Sequence, residues 1–130
     1  MDINQRAEYA AKLDLSGKYN CCQAVLAALA SETNYSEEEL YALGSGFGLG
    51  MGNMQGTCGA LVGAIMILSI KMNGQPSGKY SRAIVEEFNR LCGAVTCKDL
   101  KARVDGKPLC PCTECVKNAV LAYGKVMGLN

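Results

Sequence analysis

The stretch that most constrains the fold is Cys58 to Ile70, thirteen consecutive residues with no charge, no proline and no aromatic ring. A bilayer span takes about 18 to 20 apolar residues, so this run is a core helix, expected to be the most buried element. Gly56 closes the preceding loop, Thr57 can cap the helix through its hydroxyl, and nothing from Cys58 to Lys71 breaks it. Cys58 therefore falls in the first turn, where free backbone N–H groups and the positive end of the helix dipole favour thiolate over thiol. Gly59 and Gly63, with Ala60 and Ala64, repeat small residues at four-residue spacing, so a second helix can approach this face closely. The competing reading of Cys58 is a small buried residue on that contact.

Other helices follow from caps and periodicity. Asp2 caps a first helix that ends near Ser16-Gly17, and Asn20 caps a second from Cys21 to about Ser31, with Cys21 facing inward and Cys22 about 100° round the axis. Ser36-Glu37-Glu38-Glu39 is a capping box for a third helix that Gly44 stops, its acids forming a solvated face. After Gly74-Gln75-Pro76-Ser77-Gly78 another helix carries Ile84, Val85, Phe88 and Leu91 to Cys92-Gly93, and Thr96 can cap a short one at Cys97. Ala102 to Pro111 reads as a polar loop, and Pro111 or Thr113 opens a last helix with Cys115, Ala119, Ala122 and Val126 on one face. With no convincing strand and no repeat, the fold class is all-α, a bundle of five or six helices around the central helix at about residues 57–72. A length of 130 residues suits one domain, 1–130, with enough core to be stable without disulfides.

From Gly44 to Gly56, glycines at 44, 46, 48, 50 and 52 alternate with other residues, among them Phe47, Leu49 and Met51. No position fits G-x-G-x-x-G, and a phosphate loop would need a Lys that is missing. The spacing suits close backbone approach to something bulky beside Cys58, a helix or a cofactor, with Phe47 and the methionines closing it from water. A plain loop fits as well.

A formal net charge of +1 implies neither nucleic acid nor an anionic membrane as partner. Met1-Asp2-Ile3-Asn4-Gln5 has no basic n-region or apolar h-region, so a cytoplasmic location is expected. In that compartment eight cysteines read as metal-binding or redox-active rather than as a disulfide framework. The absence of His excludes Cys-His nucleophilic pairs, Ser-His-Asp triads and Cys2His2 zinc sites.

Cys21, Cys58, Cys97 and Cys115 are far apart in sequence, yet each sits at or near an expected helix start. Four helix N-termini converging on one point would make an electropositive pocket for thiolates or a thiolate-bound centre. Cys110-Pro111-Cys112-Thr113-Glu114-Cys115 adds C-x-C-x-x-C, a moderately specific metal or redox signal. A zinc ribbon would want two C-x-x-C knuckles, and thioredoxin-like chemistry a strand before its C-x-x-C.

These residues resemble a family of small helical redox-active proteins named for its C…GCAxxG…C…C cysteine pattern. The resemblance is carried by Tyr19-Asn20-Cys21-Cys22-Gln23-Ala24-Val25, Gly56 to Ala64, Phe88 through Cys97-Lys98-Asp99-Leu100, and Cys115-Val116-Lys117. It covers nearly the whole chain. Similar modules fused to haem-bearing cytochromes imply an iron-sulfur centre, although this chain has no C-x-x-C-H and so no c-type haem site. Cys22, Cys92, Cys110 and Cys112 exceed the family's four, and Cys110 and Cys112 offer competing registers for Cys115.

Two function classes are expected. In the first, Cys21, Cys58, Cys97 and Cys115 ligate an iron-sulfur cluster, most simply [2Fe-2S], for electron transfer. Its metal-free variant is a dithiol-disulfide oxidoreductase with Cys58 and Cys97 as the catalytic pair. In the second, the same thiolates hold zinc structurally or for trafficking, without turnover. Purely structural cysteines with no cofactor form the baseline. A redox partner protein and a homodimer are compatible with either class.

Overall fold

A computed structural model describes residues 1–130. Helix α1 spans Ile3–Leu15, α2 Cys21–Ala28, α3 Glu37–Gly44, α4 Gly59–Met72, α5 Gly78–Cys92, α6 Cys97–Lys101 and α7 Cys112–Met127. A 3-10 turn, Ala30–Glu32, extends α2, and a single π turn, Gly50–Met54, lies in the glycine loop. The fold is all-α. It has seven α-helices rather than five or six, the shortest being the five residues of α6. The polar loop holds a hairpin the sequence did not signal, β1 Arg103–Val104 and β2 Lys107–Pro108, turning at Asp105-Gly106 with positive φ at both.

The capping boxes form as local chemistry dictates. Asp2 and Gln5, Asn20 and Gln23, and Ser36 and Glu39 each exchange side-chain and backbone hydrogen bonds. Two of these caps also reach across the fold. Asn20 Nδ2 donates to the Gly44 and Ser45 carbonyls at 3.1 and 3.3 Å, and Gln23 Nε2 donates to the Tyr41 carbonyl at 2.9 Å. The start of α2 is thereby fixed to the end of α3.

Helix α4 lies centrally, packed on α2, α5 and α7, while α1 runs along α7. The element buried at every position is α2 rather than α4. One side of α4, through Val62, Ile65 and Met66, faces a broad apolar groove, so uniform hydrophobicity overstated its burial. A Cβ on Gly63 would lie 2.9 Å from the Cys22 carbonyl oxygen, and one on Gly59 would lie 2.6 Å from Cys21 Sγ. The small-residue face is therefore the seat of α2. No helix is long and apolar enough to cross a membrane.

Away from the cysteines, buried Tyr123 on α7 donates its hydroxyl to Glu32 at 3.1 Å, and Arg6 and Lys71 approach the same carboxylate at 3.7 and 3.8 Å. Glu87 on α5 pairs with Arg90 and, at 3.2 Å, with Lys125 of α7. The Arg90 hydrogen bond chiefly, then Lys125, lowers the Glu87 pKa from 4.5 to about 2. With the folded value below the unfolded one, the stabilisation is present in full above about pH 4.5 and is lost as pH falls through 2. Both cations are largely exposed, so screening limits the contribution to about 0.2–1 kcal/mol. Glu87→Gln is expected to lower stability by that amount at neutral pH, a deficit that closes toward pH 2 in denaturant titrations. A deficit independent of pH would assign the effect to packing.

Candidate metal and redox centre

Two helix starts are joined by backbone pairing beside the glycine loop. Thr57 bridges Thr96, the Cys58 N–H donates to the Val95 carbonyl at 2.8 Å, and the Cys97 N–H donates to the Gly56 carbonyl at 3.0 Å. This pairing ties the start of α4 to the start of α6. Thr57 is therefore in extended pairing rather than capping. Cys58 itself is the N-cap, with no side-chain cap hydrogen bond, and the helix begins at Gly59.

The glycine loop lies against the same point. A Cβ on Gly50 would come within 2.5 Å of Cys97 Cβ and 3.0 Å of the Gly56 carbonyl oxygen, so only glycine admits this approach. Leu49, Gly50, Met51, Gly52 and Met54 all have positive φ, and three of these are non-glycine residues in a region that side chains disfavour. The close approach is thus to Cys97 and Gly56. Phe47 is partly buried, but Met51 is 50% exposed and does not shield the site.

Cys21, Cys58, Cys97 and Cys115 line one cavity of about 210 Å³, together with Cys112, Asp14, Asn20, Leu49, Leu100 and Lys101. Cys21, Cys97 and Cys112 are the first residues of α2, α6 and α7, Cys58 is the N-cap of α4, and Cys115 lies one turn into α7. Asp14 and Lys101 were not among the expected site residues, and Cys112 entered only as a competing register for Cys115. The C-x-C-x-x-C run pointed to Cys112. Nothing local marks Asp14, near the end of α1, whose carboxylate accepts from Cys112 Sγ at 3.2 Å.

Beside this cavity, the Cys92, Cys110 and Cys115 sulfurs all lie within 4.8 Å of one another in buried positions, a cluster that can hold a metal ion. Cys22 is apart from both groups. It is fully buried, and its sulfur faces Met66 Sδ at 3.8 Å.

Electrostatics single out Cys21 rather than Cys58. A Cys21 thiolate is met first by the Cys112 thiol, then by those of Cys58 and the Leu49 N–H, with Lys101 nearby; together these outweigh burial and bring its pKa down to about 2. The Cys115 thiol favours a Cys58 thiolate, but proton donation from Cys58 to Cys21, burial and the Cys21 charge prevail and push Cys58 up to about 12. Cys22 is also raised to about 12, by burial and then by Cys21 and Cys58. The thiols acting on Cys58 are thus Cys115 and Cys21, whereas Cys97, raised mainly by burial, interacts with Lys101 and Cys21. In the second group the Cys110 and Cys115 thiols, helped by Asn118, lower Cys92 to about 4 against burial. In reduced, metal-free protein, Cys21 is expected to alkylate at lower pH than Cys22 or Cys58. Peptide mass spectrometry across a pH series checks this, and coincident profiles would contradict it.

No curated protein and no solved structure matches the chain. Residues 19–126 match the model of a family described as "Putative redox-active protein (C_GCAxxG_C_C)". That span opens one residue before the Asn20 cap, ends in the last turn of α7 and carries all eight cysteines, and the chain belongs to that family.

Proposed function

We propose that residues 1–130 form a redox domain that transfers electrons through an iron-sulfur centre, most simply [2Fe-2S], held by Cys21, Cys58, Cys97 and Cys115. The observation that supports this reading is the set of five thiols around one cavity of about 210 Å³. A single water needs only about 10–15 Å³ of such space, so the cavity suits a centre of several atoms. The donors fit the group, being soft thiolates without competing imidazole. When bound, such a centre supplies one-electron chemistry. The chain's own residues supply the setting: the Leu49 N–H donates toward the Cys21 sulfur, Lys101 offsets thiolate charge, and Leu49 and Leu100 are apolar walls. We place the protein in the cytoplasm with a redox partner protein that supplies or takes the electron.

Anaerobic purification followed by iron, sulfide and visible-absorption measurements tests the reading. Iron with sulfide and a charge-transfer spectrum that bleaches on reduction is expected. A colourless protein loaded with zinc would establish the structural or trafficking function instead. A colourless, metal-free protein would turn attention to dithiol-disulfide exchange, where Cys58 would find Cys21 or Cys115 as partner rather than Cys97.

A further inference from the structure

Cys92 closes the last turn of α5, Cys110 follows β2 by two residues, and Cys115 lies in the opening of α7. Backbone bonds hold the three in place. The Cys110 N–H donates to the Leu100 carbonyl at 2.9 Å, the Cys115 N–H to the Pro111 carbonyl at 2.9 Å, and the Gly93 N–H to the Asn89 carbonyl at 2.7 Å. Their relative exposures are 5%, 4% and 3%. Asn118, on the next turn of α7, donates from Nδ2 to Cys92 Sγ at 3.3 Å, the kind of hydrogen bond that orients a metal-binding thiolate.

Sulfurs bound to one ion at about 2.3 Å stand roughly 3.8–4.0 Å apart. The observed spread of up to 4.8 Å needs contraction of only about 1 Å. The geometry points to a second metal site formed by Cys92, Cys110 and Cys115, which takes one soft closed-shell cation of the Cu(I) or Zn(II) class. An all-sulfur set disfavours hard cations such as Mg²⁺ and Ca²⁺, which select oxygen. Cys115 belongs to both groups, so with this site filled the fourth place in the cavity set, given above to Cys115, passes to Cys112, which heads α7 and lines the same cavity. That last step rests on the proposed iron-sulfur reading; the three-thiolate site does not.

The test titrates the reduced, metal-free chain with Cd²⁺, following thiolate-to-cadmium absorption and the cysteines shielded from iodoacetamide. Cys21→Ser/Cys58→Ser, which dismantles the cavity set, is expected to bind one Cd²⁺ per chain, and adding Cys110→Ser is expected to weaken that binding at least tenfold. In the unsubstituted chain Cd²⁺ should shield Cys92 and Cys110 together with Cys115. A folded double variant that binds no Cd²⁺, or one whose affinity ignores Cys110→Ser, overturns the site. So does full-rate alkylation of Cys92 and Cys110 in the cadmium-saturated natural chain, a measurement that decides the matter even where the substituted chains fail to fold. Iron separates the two readings. A chain that takes up no iron yet shields Cys92 and Cys110 sinks the cavity reading and leaves the three-thiolate site standing, whereas Cys110→Ser that keeps its iron while losing the shielded ion supports both.

Discussion

Cys21→Ser is expected to purify without iron, while Cys22→Ser, the next residue on the same helix, keeps it. Both cysteines are buried, so burial does not separate them. Direction does: Cys21 lines the cavity with Cys58, Cys97, Cys112 and Cys115, whereas the Cys22 sulfur faces Met66 Sδ at 3.8 Å. A serine hydroxyl is a harder and far less acidic donor than a thiolate, and even changes outside the ligand set cost about 10–100-fold in metal affinity. The iron-to-protein ratio of Cys21→Ser should therefore fall at least tenfold, along with the visible bands. Cys22→Ser should cost only about 1–3 kcal/mol of stability, from a buried hydroxyl lacking a good partner. Iron retained in Cys21→Ser, or lost equally in both, would refute the cavity site.

Gly63→Leu is expected to destabilise the fold by overpacking the contact between α2 and α4. A helix-interior glycine costs about 1 kcal/mol relative to alanine, so propensity alone predicts that Ala or Leu at this position stabilises α4. Packing opposes this, because a Cβ at 63 would stand 2.9 Å from the Cys22 carbonyl oxygen and 3.3 Å from Val25 Cβ. Both neighbours belong to a helix buried at all eight positions, so neither can move aside freely. Overpacking of this kind costs about 1–3 kcal/mol, and with several further heavy atoms to place, Gly63→Leu should fall at the upper end. That corresponds to roughly 10 °C in Tm for a chain of this size. Gly63→Ala isolates the balance: a neutral or lower Tm means the carbonyl contact outweighs propensity, and a higher Tm would show that α2 and α4 are not so closely seated.

The helices were legible because their signals are local. Asp2, Asn20 and Ser36 each cap the helix read from them, Ser36 with Glu39 as the box expected, and Asp2 with Gln5 and Asn20 with Gln23 prove to be boxes as well. The uncharged run after Cys58 marked the central helix, and its small-residue repeat marked the close contact, here with α2. The hairpin at 103–108 was missed because two strands of two residues leave no alternation to detect. Thr57 was misplaced as a cap because its backbone is claimed by Thr96, a residue 39 positions away.

Local signals along the chain suffice for its helical character, for Cys21, Cys58 and Cys97 at helix starts, and for the lack of any imidazole to compete with the thiols. Which thiols meet, and which of them ionises, depends on packing between distant segments. Helix dipoles made every first-turn cysteine an equal candidate. In the cavity Cys21 is the thiol whose pKa is lowered, because Cys112, from the other end of the chain, donates to it, and Cys58 is raised because it serves as a donor to Cys21. The grouping of Cys92 with Cys110 and Cys115 depends in the same way on where α5 ends against the start of α7. Capping and periodicity act over a few residues and can be read along the chain. Proton sharing and ligand geometry act through space over a few ångströms, between residues whose separation in sequence says nothing of their distance.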